Sequence, residues 1–380
     1  MPELIVDTAR IRHNAQIVFE QAGGARVIGV VKGNGHGLEL VPYARTLIGC
    51  GVDMLAVAAL DEALALRSAG VDAEILLMTP LADEREIRTA VLQNVILTAA
   101  SLENVRSVNA VAAAVGLSPR VHLCVDTGLG RHGFAAARQD LLLAAARELR
   151  GVRIEGIFSH FADAAGKRPS FTQKQLALFL NACAFLEENG IRVGMRHIAA
   201  SCALLRFPQT RLDAVRVGSA FLGRVPLKNI WGFQPVGYLR SRVEAVYTRA
   251  AGQNVGYGHG FVTAGETRTA VLSAGYGCGF GLSRENRSGD LAGAVCQLRR
   301  MFRHRAQPLT VRIGGAQCPV LGGVGFTSCV VDVTAADCRP GDSADLPVNP
   351  LWIDSSVRRT YICASGSGRT EQLRGLASSF

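Results

Sequence analysis

From residue 25 to about 221 the chain alternates short β-branched runs with longer stretches of helical periodicity, the pattern of repeated βα units. Eight runs read as strands: ARVIGVVK, DMLAVA, AEILLMT, NVILTA, RVHLCVDT, RIEGIFSHFA, RVGMRHIAAS and LDAVRVGSAF. Between them LVPYARTLIGCG, LDEALALRSAG, DEREIRTAVLQ, SLENVRSVNAVAAAVG, QDLLLAAARELRG and TQKQLALFLNACAFLEENG place apolar residues at i, i+3 and i+4, several closed by Gly. The seventh connection, CALLRFPQT, is short for a full helix. Strands apolar on both faces and joined by helices predict a closed (β/α)₈ TIM barrel, with an open doubly wound sheet as the alternative. Past Arg224 helical periodicity fades, and SRVEAVYTRA, TRTAVLSAGYG, LTVRIGG and CPVLGGVGFTSCVVDV run between Gly-rich turns. This α/β pattern followed by β-rich sequence predicts a barrel over 1–228 and a C-terminal all-β domain over 229–380, breaking near VPLKNIWGF.

With 48% apolar and 19% charged residues in 380, the chain is not disordered. Lys+Arg 41 against Asp+Glu 31 leaves a net charge of +10, but the basic residues are scattered. That argues for small anionic ligands and against nucleic acid. No apolar stretch of membrane-spanning or signal length occurs, which predicts a cytoplasmic protein with no membrane partner. Ten cysteines without a CxxC pair, mostly in apolar runs such as VHLCVDT, predict buried reduced thiols and no metal site.

A barrel of this kind carries its chemistry at the C-terminal ends of its strands, so polar residues that end apolar runs are the candidates. Lys32 ends RVIGVVK and precedes Gly33-Asn34-Gly35-His36-Gly37, whose backbone N–H groups suit an anion. A partly desolvated lysine there is a Schiff-base nucleophile; alone, it would read as a surface lysine. Strand five ends in Asp126-Thr127-Gly128-Leu129-Gly130-Arg131, strand six in Ser159-His160-Phe161. Strand seven brings His197 and Ser201, and strand eight Arg216-Val217-Gly218-Ser219. Each has a structural reading by itself, a core histidine or an interface cation. Together they place a lysine, an imidazole, two guanidiniums and a Gly-Ser cradle at one mouth, suited to a phosphorylated carbonyl cofactor and a carboxylate substrate.

These segments resemble the alanine racemases, over nearly the whole chain. The family's V-V-K-A-N-A-Y-G-H-G stands as Val30-Val31-Lys32-Gly33-Asn34-Gly35-His36-Gly37, and its D-T-G-M-G-R as Asp126 to Arg131 with Leu129 for Met. GIFSHFADA, RHIAAS and DAVRVGSAFLGR resemble its later barrel strands, NVGYGHGFVTA and SAGYGCGF its β-domain. VRVGSAFLGR looks closest to the catalytic domain of serine/alanine racemases from vancomycin-resistance clusters. The resemblance implies pyridoxal 5'-phosphate held on Lys32 and a two-base racemisation of alanine or serine. Lys32 and Tyr257 are then the bases. His36, His160, Ser201, Arg216, Gly218, Ser219 and Tyr361 serve the cofactor, and Arg131, Tyr276, Phe326 and Thr327 the substrate. It further implies a homodimer whose sites are shared, each barrel completed by the partner's tyrosine, for wall synthesis, resistance or catabolism.

Several positions depart from the family pattern. His36 stands for a phosphate-contacting tyrosine, Cys124 for a lysine that in many members is carbamylated beside the arginine matching Arg131, and Ala200 for Asn. Phe326 and Thr327 replace the usual Met and Asp. The alternatives are a barrel-type lyase or decarboxylase using the same cofactor, or a cofactor-binding regulatory protein with little turnover. Tyr257 argues against the latter, since a mere carrier needs no second base.

Overall fold

In the computed structural model, which describes residues 1–282, 309–364 and 370–373, the chain forms two compact units. One is Thr8–Val236; the other joins Met1–Asp7 to Gly237–Phe380. The first strand, β1 (Glu3–Asp7), is not a barrel strand. The barrel unit carries β2 (Arg26–Val30), β3 (Met54–Val57), β4 (Glu74–Leu77), β5 (Leu97–Ala99), β6 (Arg120–Asp126), the two-residue β7 (Phe134–Ala135), β8 (Arg153–Phe158), β9 (Met195–Ala200) and β10 (Ala214–Val217). All except β7 lie within the eight runs marked as strands in the sequence. Parallel pairing follows the order β4-β3-β2-β10-β9-β8-β6-β5, and a bridge between Leu76 and Ile96 brings the ends of that path together. The sheet is therefore a nearly closed barrel rather than an open one.

Burial explains why these runs are apolar throughout. Ile28, Val30, Met54, Ala56, Leu76, Ile96 and Ala214 form one buried cluster, with alternate residues of a strand sharing a face. The intervening Val27, Leu55, Ile75 and Val215 are equally buried, as a parallel strand covered by helices requires. Local signals set helix starts: Asp83 accepts the N–H groups of Arg85 and Glu86 ahead of Glu84–Leu92, and Ser101 that of Asn104 ahead of Leu102–Val115. The seventh connection holds only the six-residue helix Ser201–Arg206 and a 3₁₀ turn, Pro208–Thr210.

At the floor, where the strands begin, charges are paired. Arg26 bonds Asp53 and Glu74, Arg120 bonds Glu74 and Glu155, and Arg196 bonds Asp213.

The β-unit adds β11 (Tyr238–Arg249), the short pair β12 (Asn254–Val255) and β13 (Phe261–Val262), β14 (Thr267–Leu272), β15 (Thr310–Ile313), β16 (Ala316–Leu321), β17 (Cys329–Asp332), β18 (Ser343–Leu346), β19 (Arg358–Ala364) and β20 (Thr370–Leu373). Among the described residues its main sheet has the order β14-β17-β16-β15-β18-β11-β1-β19-β20, and β11 also pairs with β14, closing six strands into a ring. Residues 1–7 fall outside the barrel assigned to 1–228: β1 runs antiparallel to β11, Leu4 opposite Leu239, and parallel to β19, Val6 opposite Tyr361. The short apolar run in ELIVD, with Leu4, Ile5 and Val6 all buried, can be covered in either unit, and its pattern names no partner.

Candidate active site

After β2 the backbone turns in an unusual way. Gly33, Asn34, Gly35, His36 and Gly37 all have positive φ, from 51° to 82°, giving a left-handed helical turn immediately past Lys32. For L-residues this conformation costs about 1–2 kcal/mol each, which the glycines avoid and Asn34 and His36 do not. Compensating bonds hold it. The Asn34 side chain accepts the Leu40 N–H at 2.9 Å, and the Asn34 N–H donates to Glu62 at 3.1 Å. His36 Nδ1–H donates to the Lys32 carbonyl at 2.9 Å, leaving Nε2 unprotonated toward Gly218. A Cβ at Gly218 would lie 2.6 Å from that nitrogen, so only glycine fits there. Burial and the Lys32 charge push His36 down to about 4, and it is neutral at neutral pH.

The β6 loop is shaped by Asp126, whose carboxylate accepts the N–H groups of Gly128, Leu129 and Gly130 and presents Arg131 beyond them. Cys124 is buried, donates its thiol to the His132 carbonyl, and is pushed up to about 12 by burial, so it stays uncharged. Opposite, Arg216 is 3% exposed. It donates to His197 Nδ1 at 2.7 Å, the His197 carbonyl at 3.0 Å, the Ser159 carbonyl at 2.6 Å and His160 Nδ1 at 3.2 Å. Because Arg216 occupies His197 Nδ1, the ring proton of His197 sits on Nε2 and is donated to His122 at 2.8 Å. Burial lowers Arg216 to about 10, which leaves it cationic at neutral pH; burial and the nearby Arg216, Arg131 and Lys32 push His160 down to about 3.

All eight barrel residues named from the sequence, Lys32, His36, Arg131, His160, Ser201, Arg216, Gly218 and Ser219, line one cavity of about 490 Å³, a size suited to a small cofactor with substrate. The Ser201 hydroxyl accepts the N–H groups of Gly218 and Ala220. Lys32 is lowered from its ordinary value by burial first, then by Arg131, with a smaller push from Arg216 and an opposing pull from Glu62. The cations thus raise one another's energy, and an anion in the cavity relieves that.

The β-unit candidates are arranged by themselves. Tyr257 starts a 3₁₀ turn, Tyr257–His259, and is 90% exposed. Tyr276 meets Phe326 edge to face, ring centroids 5.2 Å apart, with both rings and Thr327 exposed. Tyr361 is buried in β19, opposite Val6 of β1.

Sequence reasoning passed over Glu62, His122 and Gln175. Gln175 donates to Thr127 and to the His160 carbonyl, and accepts from the Ala162 N–H. Each acts through residues far away in the chain, and for Glu62 the one available signal was a carboxylate at the start of a helix that follows a barrel strand.

Two family models match the chain: "Alanine racemase, N-terminal domain" over 6–226 and "Alanine racemase, C-terminal domain" over 236–350. The chain is similar to the alanine racemase of Desulforamulus reducens, 37% identical over 247 residues, which is 63% of this chain and 66% of that protein. It is also similar to the alanine racemase of Clostridium tetani, 34% identical over 226 residues, 59% and 58% of the two. The chain thus spans 58–66% of the length of these relatives. Among solved structures, the alanine racemase of D-cycloserine-producing Streptomyces lavendulae superposes with a TM-score of 0.81 at 29% identity, over 96% of this chain and 98% of that one.

Proposed function

We propose, from the premise that this chain belongs to the alanine racemase family, that it interconverts L- and D-alanine with pyridoxal 5'-phosphate as cofactor. The observation that carries this reading is the single cavity into which Lys32, Arg131, Arg216 and the Ser201–Gly218–Ser219 segment converge. Those residues fit the cofactor: an amine to take its carbonyl, small and hydroxyl-bearing residues packed to leave room for a phosphate, and mutually repelling cations that favour an anion. When bound, pyridoxal 5'-phosphate supplies a carbonyl that takes amines and a ring that withdraws electrons from the substrate Cα.

The chain's own groups do the rest. Inverting a stereocentre requires a proton to leave one face of Cα and another to arrive on the opposite face. Lys32 serves one face: its lowered proton affinity leaves more of it neutral than an ordinary lysine at the same pH. Tyr257 serves the other, by its phenol oxygen. Arg131 steadies the substrate carboxylate. Arg216, fixed by four hydrogen bonds to His197, Ser159 and His160, lines the cavity as a cation and gives up no proton there at neutral pH. Ser201, Gly218 and Ser219 take the phosphate, His36, whose Nε2 carries no proton, packs beside Gly218, and Tyr276, Phe326 and Thr327 frame the substrate. Tyr361, on β19 of the β-unit, is the further candidate for the phosphate.

The working form is a homodimer in which Tyr257 of one chain completes the partner's barrel. Supporting this, Tyr257, Tyr276 and Phe326 are large apolar rings left exposed on the β-unit. A cytoplasmic setting agrees with nine free cysteines among the described residues, and no helix of those residues is long and apolar enough to cross a membrane.

The test is chiral chromatography of L-alanine, and in parallel L-serine, incubated with purified protein and pyridoxal 5'-phosphate. D-Alanine is expected to form. Faster turnover of serine would reassign the substrate, and absence of any D-product would overturn the racemase reading.

A further inference from the structure

Asp126, Asp163 and Glu62 are carboxylates near the barrel mouth, and the bonding of Glu62 goes beyond what a helix cap needs. Glu62 is half-buried in the first turn of the helix Leu60–Ser68, just past β3. Its Oε2 accepts the N–H groups of Ala58 at 3.1 Å and Ala59 at 3.3 Å, which caps its own helix. Its Oε1 points elsewhere and accepts the Asn34 N–H, 28 residues away, at 3.1 Å. Asn34 is a non-glycine residue held at φ 51° in the left-handed turn beside Lys32. Further bonds of the turn run within residues 31–40; the bond to Glu62 ties it to a neighbouring strand end.

We propose that Glu62 is a positioning residue for Lys32: its carboxylate pins the left-handed turn that follows the lysine to the end of β3 and sets a negative charge opposite the cations of the cavity. The inference deepens the racemase reading and rests on it for the role of Lys32. The charged groups acting on Lys32 are Arg131 from the β6 loop, Arg216 from β10 and Glu62 itself, with neutral His36 on the same turn and neutral His160 after β8. Glu62 alone among them favours the protonated amine, so it moderates how far the two arginines drive Lys32 toward the free base.

The chain has only four lysines, so Lys32 acetylation by acetic anhydride can be followed by peptide mass mapping across pH, without cofactor or substrate. Glu62→Gln is nearly isosteric, but its amide NH₂ must face either Asn34 or the Ala58–Ala59 N–H groups. In this variant the Lys32 labelling midpoint is expected to move to lower pH, and the Asn34 amide to exchange with solvent at least about tenfold faster, the loss expected of a bond to a charged acceptor. Glu62→Asp keeps the charge on a shorter arm; it should leave the midpoint near wild type while the Asn34 amide still exchanges faster. This second variant also decides the matter if Glu62→Gln fails to fold. An unmoved midpoint and unchanged Asn34 exchange in the folded variants would overturn the proposal. A lowered melting temperature with the Glu62→Gln midpoint unmoved would do the same, since it makes Glu62 a structural residue only. Because labelling needs no turnover, a failed racemase assay would not be mistaken for either result.

Discussion

The two ends of the barrel use the same residue types in opposite ways. At the floor, Arg26, Arg120 and Arg196 each meet a carboxylate within 3.0 Å, so the charges there are closed on themselves. At the mouth, Lys32, Arg131 and Arg216 form no salt bridge among the described residues. Asp126 is turned inward to backbone N–H groups and Glu62 to three amides. Paired charge stabilises a strand end; charge left facing the cavity raises the energy of the empty site and is available for a ligand. The difference separates the end that holds the barrel together from the end that does chemistry.

The largest effect should follow from removing the mouth's nucleophile. Lys32→Ala is expected to lower racemisation by at least about ten-thousandfold and to abolish borohydride trapping of pyridoxal 5'-phosphate on the peptide containing residue 32, with little change in melting temperature. Trapping at another lysine would displace Lys32 from its role.

Next in size is a complementation test of the shared site. Lys32→Ala and Tyr257→Phe proteins, each inactive, should regain activity when mixed and allowed to exchange subunits, because one site of each mixed dimer collects both defects and the other keeps both residues. If exchange is demonstrated by differential tags and no activity returns, the tyrosine does not come from the partner.

A smaller effect is expected from the mouth's second cation. Arg131 pushes Lys32 toward its neutral form, so Arg131→Gln should move the rising limb of the kcat pH profile to higher pH as well as raising KM. A limb that stays in place would show that Arg131 acts on the substrate alone.

The smallest effect belongs to the floor. Burial by itself would raise the Glu74 carboxyl, but hydrogen bonds and charge from Arg26 and Arg120 outweigh it and hold it below its ordinary value. A depressed carboxyl contributes stability above its unfolded pKa of about 4.3, and that contribution is lost as pH falls through the folded value. Glu74→Gln should therefore cost about 1–2 kcal/mol near pH 7, discounted for partial exposure, and the gap to wild type should shrink below about pH 4. KM and the kcat profile should not move; a change in either would mean that the floor and the mouth are not independent.

Legibility in the sequence followed the range of the interactions concerned. The eight barrel strands were legible because burial on both faces leaves an apolar run, and the mouth residues because polar groups such as Lys32, His160 and Arg216 interrupt those runs at their ends. The residues proposed to take the phosphate, Ser201, Gly218 and Ser219, are legible in the same way, with the family resemblance supplying their roles. Pairing partners were not legible in this way. The apolar run in ELIVD shows that β1 is buried, but only the folded chain joins Leu4 to Leu239 and Val6 to Tyr361.

By itself the sequence determined the element order, the repeated βα units followed by β-structure, and which side chains end those strands, because each depends on periodicity within a few residues or on strand ends, whereas the closure of the sheet came from the Leu76–Ile96 bridge. Only the tertiary structure decided that the segment after Lys32 is a left-handed turn, that Glu62 reaches Asn34 across 28 residues, and that Arg216, His197 and His122 form one buried chain of hydrogen bonds. The reason is physical: a hydrogen bond between distant segments is set by where the packed barrel brings its donor and acceptor, and neither residue's local pattern carries that distance.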